Sequence, residues 1–260
     1  MSFRGVNFDH LAKFNSAASC DFIEMYESYV MKELEADASR IPHKTFAPSS
    51  FRCDRRSWFR IRGVQPDSLK NPDMVLNFTA EIGTACHRII QSNLKRALQS
   101  DWIDVGDYVS SLCVSNCEVS QDESELETRI SFQDPPVRFA CDGIVRLNNQ
   151  LYLLEIKSSE YSSWNDLTDP KSEHIDQAKC YCTLLNLDRV LFLYVDRQYG
   201  GLKCFEICVT DDDKSEIQSR FDSVMRMVES NLAPAGLPKG DPWCQANYCP
   251  YYRKCREYGR

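Results

Sequence analysis

Apolar residues along this 260-residue chain follow helical spacing in some segments and strand-like runs in others, and their order predicts the fold class. Residues 81–99 place Ile82, Ile89, Ile90 and Leu94 at helical spacing, which predicts an amphipathic helix. The other predicted elements are, in chain order, a helix over 20–38, strands over 127–132, 137–147 and 151–158, a helix over 173–186, strands over 189–195 and 202–209, and a helix over 213–232. A strand meander between helices, followed by alternating helices and strands, predicts an α/β fold with a mixed sheet.

The chain length predicts one large domain or a domain with an appendage. We predict a single domain over residues 1–260 with its core at about 75–232. No apolar run approaches the ~18 residues that cross a bilayer, and the first residues carry no secretory signal pattern. The 13 cysteines are an odd number without a dense framework, which argues against a disulfide scaffold. We therefore expect a cytoplasmic protein without membrane partners.

The net charge of −7 is unevenly distributed. Residues 101–135 carry nine acids against one base, whereas residues 51–62 carry five arginines against one acid. A local basic patch of this kind can attract a phosphate backbone even when the whole chain is acidic. Arginines interleaved with tyrosines suit a single strand, although a merely solvated surface is the alternative interpretation. The predicted DNA-binding residues are Arg52, Arg55, Arg56, Arg60 and Tyr251.

The most informative segment is a predicted hairpin over residues 139–159. Asn148 and Asn149 form its turn, because asparagine tolerates the positive φ that tight hairpin turns require. If Leu147 then pairs with Gln150, the same register places Asp142 opposite Glu155, with Cβ atoms about 5 Å apart. Lys157 lies on the same face as Glu155. Opposed carboxylates repel each other unless a divalent cation lies between them. A hairpin with a wet charged face is the alternative.

The pattern D-G-x11-E-I-K, from Asp142 to Lys157, resembles the core of the PD-(D/E)XK nuclease superfamily, specifically the RecB-like exonucleases. Two further segments resemble motifs of that family: G-T-A-C-H, which ends at His87, and Q-x-x-x-Y, formed by Gln177 and Tyr181. The resemblance implies a restriction-endonuclease-like core, in which a mixed sheet is flanked by helices. It implies Mg²⁺ or Mn²⁺ held by His87, Asp142, Glu155 and the Ile156 carbonyl. It also implies a catalytic set of Asp142, Glu155, Lys157, Gln177 and Tyr181.

Three cysteines, Cys244, Cys249 and Cys255, follow one another at x4 and x5 spacing in the Tyr-rich tail, and Cys53 lies beside the arginines. This arrangement resembles the RecB-like proteins in which one early and three late cysteines hold a 4Fe-4S cluster. The CRISPR-associated exonuclease, the AddB subunit and some phage exonucleases belong to that group. The resemblance implies an iron–sulfur region formed by residues 45–63 and 240–260, which joins the N- and C-terminal segments. Structural zinc and unligated thiols are the alternatives.

These observations predict a metal-dependent DNA exonuclease acting on single-stranded or frayed ends in recombination, repair or CRISPR spacer processing. The chain contains no G-x-x-x-x-G-K-[ST] motif, so any unwinding requires a partner such as a helicase, an annealing protein or an integrase subunit. The alternative function is a non-catalytic DNA-end-binding or scaffold subunit of a larger complex.

Overall fold

A computed structural model of the protein describes residues 17–38, 43–67, 73–112, 114, 116–121, 127–238, 240–246 and 248–258. The helices in these ranges are α1 (Ala17–Ala38), α2 (Asp54–Ile61), α3 (Met74–Leu98), α4 (Val105–Ser111), α5 (Tyr161–Asn165), α6 (Ser172–Leu185), α7 (Asp211–Glu229) and α8 (Tyr252–Glu257). The strands are β1 (Trp102–Ile103), β2 (Cys117–Gln121), β3 (Thr128–Gln133), β4 (Pro136–Cys141), β5 (Gly143–Leu147), β6 (Gln150–Ser159), β7 (Arg189–Asp196) and β8 (Leu202–Cys208).

The chain divides into two compact units. The first consists of Met1–Arg40 and Ser68–Thr79, and its described part comprises α1 and the beginning of α3. The second consists of Ile41–Asp67 and Ala80–Arg260 and contains all the strands named above. The prediction of one nuclease domain over residues 1–260 stays a prediction.

Helix α3 begins earlier than its apolar spacing predicts, at Met74 instead of residue 81. The Asp73 carboxylate accepts a hydrogen bond from the main-chain N–H of Leu76 at 3.0 Å, which satisfies one of the free donors in the first turn. The acidic segment after α3 contains β1, α4 and β2. Its residues 113, 115 and 122–126 lie outside the described ranges.

The second unit contains a five-stranded sheet in the order β1-β5-β6-β7-β8 and a three-stranded sheet in the order β2-β3-β4. The β6–β7 pair is parallel and the remaining pairs are antiparallel, which confirms the predicted mixed sheet. Parallel neighbours need a long crossover connection, and the segment that contains α5 and α6 provides it here. No helix in the described part of the chain is long and apolar enough to cross a bilayer.

The predicted strand over residues 137–147 is wrong in one respect, because the chain leaves one sheet and enters the other at Asp142. Strand β4 pairs with β3, whereas β5 pairs with β6 and β1. Gly143 begins β5 beneath Trp102, and an added Cβ at this position would lie 2.8 Å from the indole ring. Only a glycine allows this close crossing of β1 and β5.

Both faces of the five-stranded sheet are covered by helices. On one face, Leu154 and Ile156 of β6 pack with Leu94 of α3. On the other face, Leu185 of α6 and Phe221 of α7 join the larger core. Alternate residues of β6 therefore enter different layers, which is why its residues 151–154 are consecutively apolar.

The segment before α3 closes the larger core beside α7. The Phe46 and Phe51 rings each lie 4.8 Å from the ring of Phe221. Arg220 donates to the Phe51 carbonyl at 2.6 Å, and the Trp58 indole N–H donates to the Met227 carbonyl at 3.1 Å. These contacts anchor α2 against α7, although the two helices are far apart in the chain.

Candidate active site

The predicted carboxylates meet where β4 ends and β5 and β6 run side by side. The hairpin register agrees with the prediction, because Leu147 pairs with Gln150 and Gly143 pairs with Leu154. Asp142 lies one residue beyond the end of this ladder. Its Oδ2 accepts a hydrogen bond from the Ile156 main-chain N–H at 2.7 Å, which fixes the carboxylate beside the middle of β6.

The turn of this hairpin has the predicted geometry. Asn148 and Asn149 have φ values of 48° and 67°, as a two-residue turn between right-handed twisted strands requires. Because the turn sets the register, these two residues determine which side chain of β6 lies next to Asp142.

One face of α3 carries three residues that shape the site. They are spaced four positions apart and are Gly83, His87 and Gln91. The His87 Nδ1 lies 3.1 Å from Asp142 Oδ1, and the Gln91 side-chain amide donates to the Asp142 carbonyl at 2.8 Å. Gly83 packs so close to β6 that an added Cβ would lie 3.1 Å from Ser158 Oγ. Sequence reasoning missed Gln91, although its position one turn after His87 was the available signal.

Glu155 is the most buried charged group of the site, with 3% of its surface exposed. Burial is the largest cause that raises the pKa of Glu155, to about 7. The charge of Asp142 contributes to this rise, and the charge of Lys157 opposes it. The pKa of His87 is also raised, because the hydrogen bond and charge of Asp142 outweigh the lowering effect of burial. Two neighbouring carboxylates, one of them buried, form a site that favours a positive charge.

Lys157 is held by a chain of hydrogen bonds that reaches α6. Its Nζ donates to Glu155 Oε1 at 2.5 Å and to Gln177 Oε1 at 3.1 Å. The Gln177 amide N–H donates to the Tyr181 hydroxyl at 2.6 Å. Tyr181 is 4% exposed and stacks on Phe139 with ring centroids 4.3 Å apart. Tyr181 thus orients the Gln177 amide, and Gln177 orients Lys157.

The donor types of the site suit a hard divalent cation. Carboxylate and main-chain oxygens are typical ligands of Mg²⁺ and Mn²⁺, and an imidazole is compatible with Mn²⁺. Among the described residues, no three His, Cys, Asp or Glu side chains form a group that could hold a metal ion. In the arrangement described, His87 and Asp142 are hydrogen-bonded to each other. The predicted set of His87, Asp142, Glu155 and the Ile156 carbonyl therefore fits a metal in its chemistry, and metal ligation by these residues stays a prediction.

The four predicted cluster cysteines line one cavity, although two of them are separated by 191 positions in the chain. They are Cys53, Cys244, Cys249 and Cys255. All four are free thiols and are partly buried. Burial raises the pKa of the Cys53 and Cys249 thiols. Each of the two sulfurs also accepts hydrogen bonding from main-chain N–H groups of its own, which lowers its pKa and opposes the rise. A cavity lined by sulfur with N–H donors suits a group that bears negative charge on sulfur.

Arg55 has a structural environment that its prediction as a DNA-binding residue did not anticipate. Its side chain is buried at 5% exposure, and its Nε donates to the Pro234 carbonyl at 2.6 Å. Its Nη1 lies 3.7 Å from Cys255 Sγ and donates to the carbonyl of the same residue at 3.3 Å. The guanidinium therefore joins α2 to the C-terminal segment and has little surface left for a phosphate.

Tyr251, another member of the predicted DNA-binding set, is also buried. It is 3% exposed and stacks on Phe59 with ring centroids 5.2 Å apart. Arg60 is partly exposed, and its Nε donates to the Thr45 carbonyl at 2.8 Å. Arg52 is exposed and Arg56 is partly exposed, so these two and Arg60 remain the candidates for phosphate binding.

No protein-family profile matches the chain, and no curated protein matches it. Among solved structures it is similar to SSO0001, with 18% identity and a TM-score of 0.45 over 87% of this chain and 94% of that chain. It is also similar to an alkaline exonuclease, LHK-Exo, from Laribacter hongkongensis, with 15% identity and a TM-score of 0.44 over 77% and 93% of the two chains. A structure of LHK-Exo in complex with dAMP gives 16% identity and a TM-score of 0.42 over 75% and 91%. These identities and scores assign neither family nor activity to the chain.

Proposed function

We propose that this protein is a metal-dependent nuclease that hydrolyses phosphodiester bonds at DNA ends, with a restriction-endonuclease-like core of the PD-(D/E)XK type. The observation that carries the proposal is the buried carboxylate Glu155, which lies beside Asp142 and is ion-paired with Lys157. A buried carboxylate next to a second one is costly unless a cation compensates it. Two carboxylates can hold a divalent metal that polarises a phosphate and acidifies a bound water, and a lysine beside them can stabilise the growing negative charge.

The chain's own residues supply the substrate contacts around the metal. His87, Asp142, Glu155 and the Ile156 carbonyl would hold Mg²⁺ or Mn²⁺, which supplies a Lewis acid and an acidified water when bound. Lys157 uses two of its three N–H donors on Glu155 and Gln177, so the third is available to a phosphate oxygen. Because Gln177 and Tyr181 hold the lysine in place, its charge is prepositioned where negative charge grows during attack.

The direct test is degradation of end-labelled single-stranded and double-stranded DNA with Mg²⁺, with Mn²⁺ or with EDTA. We expect cleavage with metal only, and loss of cleavage in each of the folded variants Asp142→Ala, Glu155→Ala and Lys157→Ala. Glu160→Ala removes an exposed carboxylate just after β6 and is the matched control. Cleavage in EDTA, or cleavage that survives all three substitutions, would contradict the proposal. DNA binding without cleavage under every condition would instead favour a non-catalytic end-binding subunit.

We also propose that the four cysteines hold a 4Fe-4S cluster. What supports it is the common cavity and the N–H donors to sulfur. A single zinc ion held by the four sulfurs is the alternative. Protein purified without oxygen should be brown, with about four iron and four sulfide per chain. One zinc per chain in a colourless protein would refute the cluster.

The proposed substrate is a single-stranded or frayed end, because the chain carries no motor motif to separate strands. A helicase, an annealing protein or an integrase subunit is the proposed kind of partner. Comparing the cleavage rates of a single strand, a blunt duplex and a duplex with a frayed end tests this preference. Faster cleavage of the blunt duplex would contradict it.

A further inference from the structure

A buried tyrosine stands next to the active-site lysine on the neighbouring strand. Tyr194 of β7 is the register partner of Lys157 in the parallel β6–β7 pair, so both side chains leave the same face of the sheet. Tyr194 is 1% exposed. Its hydroxyl lies 2.7 Å from Nδ1 of His174 on α6, and it accepts a hydrogen bond from the Lys171 main-chain N–H at 3.1 Å. Strand β7 is thus joined to α6 through Tyr194, beside the point where Lys157 of β6 contacts Gln177.

These two contacts determine the tautomer of His174. The tyrosine oxygen is an acceptor for the Lys171 N–H, and the hydrogen of a buried hydroxyl must itself be donated to an acceptor. Among the described partners of this hydroxyl, His174 Nδ1 is the acceptor that can take it. The neutral imidazole therefore carries its own hydrogen on Nε2.

The imidazole is neutral for a physical reason. Burial, together with the charges of Lys157 and Lys171, lowers the pKa of His174 to about 3. His174 is only partly buried and its Nδ1 is occupied by the Tyr194 hydroxyl, which leaves Nε2 as the ring nitrogen for a ligand. The neutral imidazole of His174 therefore keeps the same hydrogen-bonding groups over the pH range in which a nuclease works.

The position along α6 relates His174 to the substrate. His174 lies three residues before Gln177, on the same side of the helix, which corresponds to about 4.5 Å along the axis. This separation is shorter than one nucleotide step along an extended strand. A strand that passes Lys157 and Gln177 would therefore bring a neighbouring phosphate to this turn of α6.

We propose that His174 is a substrate-binding residue whose Nε2–H donates to a non-bridging oxygen of the phosphate next to the scissile one. This inference rests on the proposed nuclease function and deepens it. It assigns to α6 a second role, because the helix would bind the strand through His174 and hold Lys157 through Gln177. The competing interpretation is that His174 only provides an acceptor for the buried Tyr194 hydroxyl.

The experiment uses single-stranded DNA with one methylphosphonate placed in turn at each phosphate near the cleaved bond. Wild-type protein should lose about tenfold in kcat/KM at one flanking position, the size expected when a hydrogen bond to a charged group is removed. His174→Asn retains a polar group near Nδ1 but is too short to reach Nε2, whereas His174→Gln places an amide donor near Nε2. On unmodified DNA the Asn variant should show a KM about ten times higher with kcat within about threefold. The same methylphosphonate should then cause no further loss of kcat/KM in the Asn variant. The Gln variant should behave like the wild type.

Ser172→Ala, an exposed change on the same helix, is the matched control and should leave both the KM and the methylphosphonate profile unchanged. The inference is overturned if the Asn variant keeps the full methylphosphonate profile of the wild type, or if the Asn and Gln variants behave alike. A purely structural role would give the first result, because His174→Asn retains an acceptor near Nδ1 for the Tyr194 hydroxyl. Failure of the proposed function has a different signature, namely wild-type protein that leaves unmodified DNA intact.

Discussion

Replacing Glu155 by glutamine should change how the stability of the metal-free protein depends on pH. A carboxyl with a pKa of about 7 in the folded protein and 4.5 when exposed binds its proton more tightly in the folded state. The stability that this proton contributes is fully present below about pH 4.5 and is lost as the pH rises through about 7. Glutamine is neutral throughout, so the variant does not undergo this loss.

The magnitude follows from the difference between the two pKa values. Ionising Glu155 in the folded protein costs about 3 kcal/mol more than ionising it in the unfolded chain. Between about pH 5 and pH 8, the unfolding free energy of Glu155→Gln should therefore rise by roughly 2–3 kcal/mol relative to wild type. The substitution also removes the ion pair with Lys157, which lowers the absolute stability of the variant. The informative quantity is accordingly the change with pH.

The assay is urea unfolding of both proteins in EDTA at several pH values, with the free energy taken from the midpoint and slope. Asp142 is present in both proteins as the partner of His87, so the raised pKa of His87 contributes to both curves. Glu160→Gln removes an exposed carboxylate and should give a difference from wild type that does not vary with pH. A flat difference for Glu155→Gln, or one that falls as the pH rises, would refute the conclusion that burial of Glu155 dominates the electrostatics of the site.

Three other perturbations test separate parts of the structure. Gly83→Ala should lower the unfolding free energy by about 1 kcal/mol, since overpacking against Ser158 exceeds the gain in helix propensity; adding Ser158→Ala should restore it in the same urea assay. Cys53→Ser should cost about 4–5 kcal/mol if the cysteines close the chain on itself, whereas Cys204→Ser, at an exposed strand position, should leave the melting temperature unchanged. Arg56→Gln should reduce the log–log salt dependence of single-stranded DNA binding by about 0.7, and an unchanged slope would mean that this arginine contacts no phosphate.

Local patterns along the chain were sufficient for much of the fold and for the identity of the candidate site. The Asn148–Asn149 turn predicted the hairpin register, because a two-residue turn and the alternation of a strand leave one way to pair. Glu155 and Lys157 share a strand, and Gln177 and Tyr181 share one side of a helix, so their common faces follow from spacing alone. The predicted elements over 151–158, 173–186, 189–195, 202–209 and 213–232 differ from β6, α6, β7, β8 and α7 by at most three residues at either end, whereas the short helices α5 and α8 were not predicted.

The tertiary structure decided the features that depend on contacts between distant segments. The break at Asp142 arises because the residues before it pair with β3 in one sheet and the residues after it pair with β6 in the other. An uninterrupted apolar pattern does not reveal this change of partner. Arg55 and Tyr251 lie in an arginine- and tyrosine-rich sequence typical of a surface, yet both are buried between α2 and the C-terminal segment. Gln91 and His174 acquire their roles from partners 51 and 20 positions away. Spacing determines which face of an element a residue occupies, but only packing determines what that face meets.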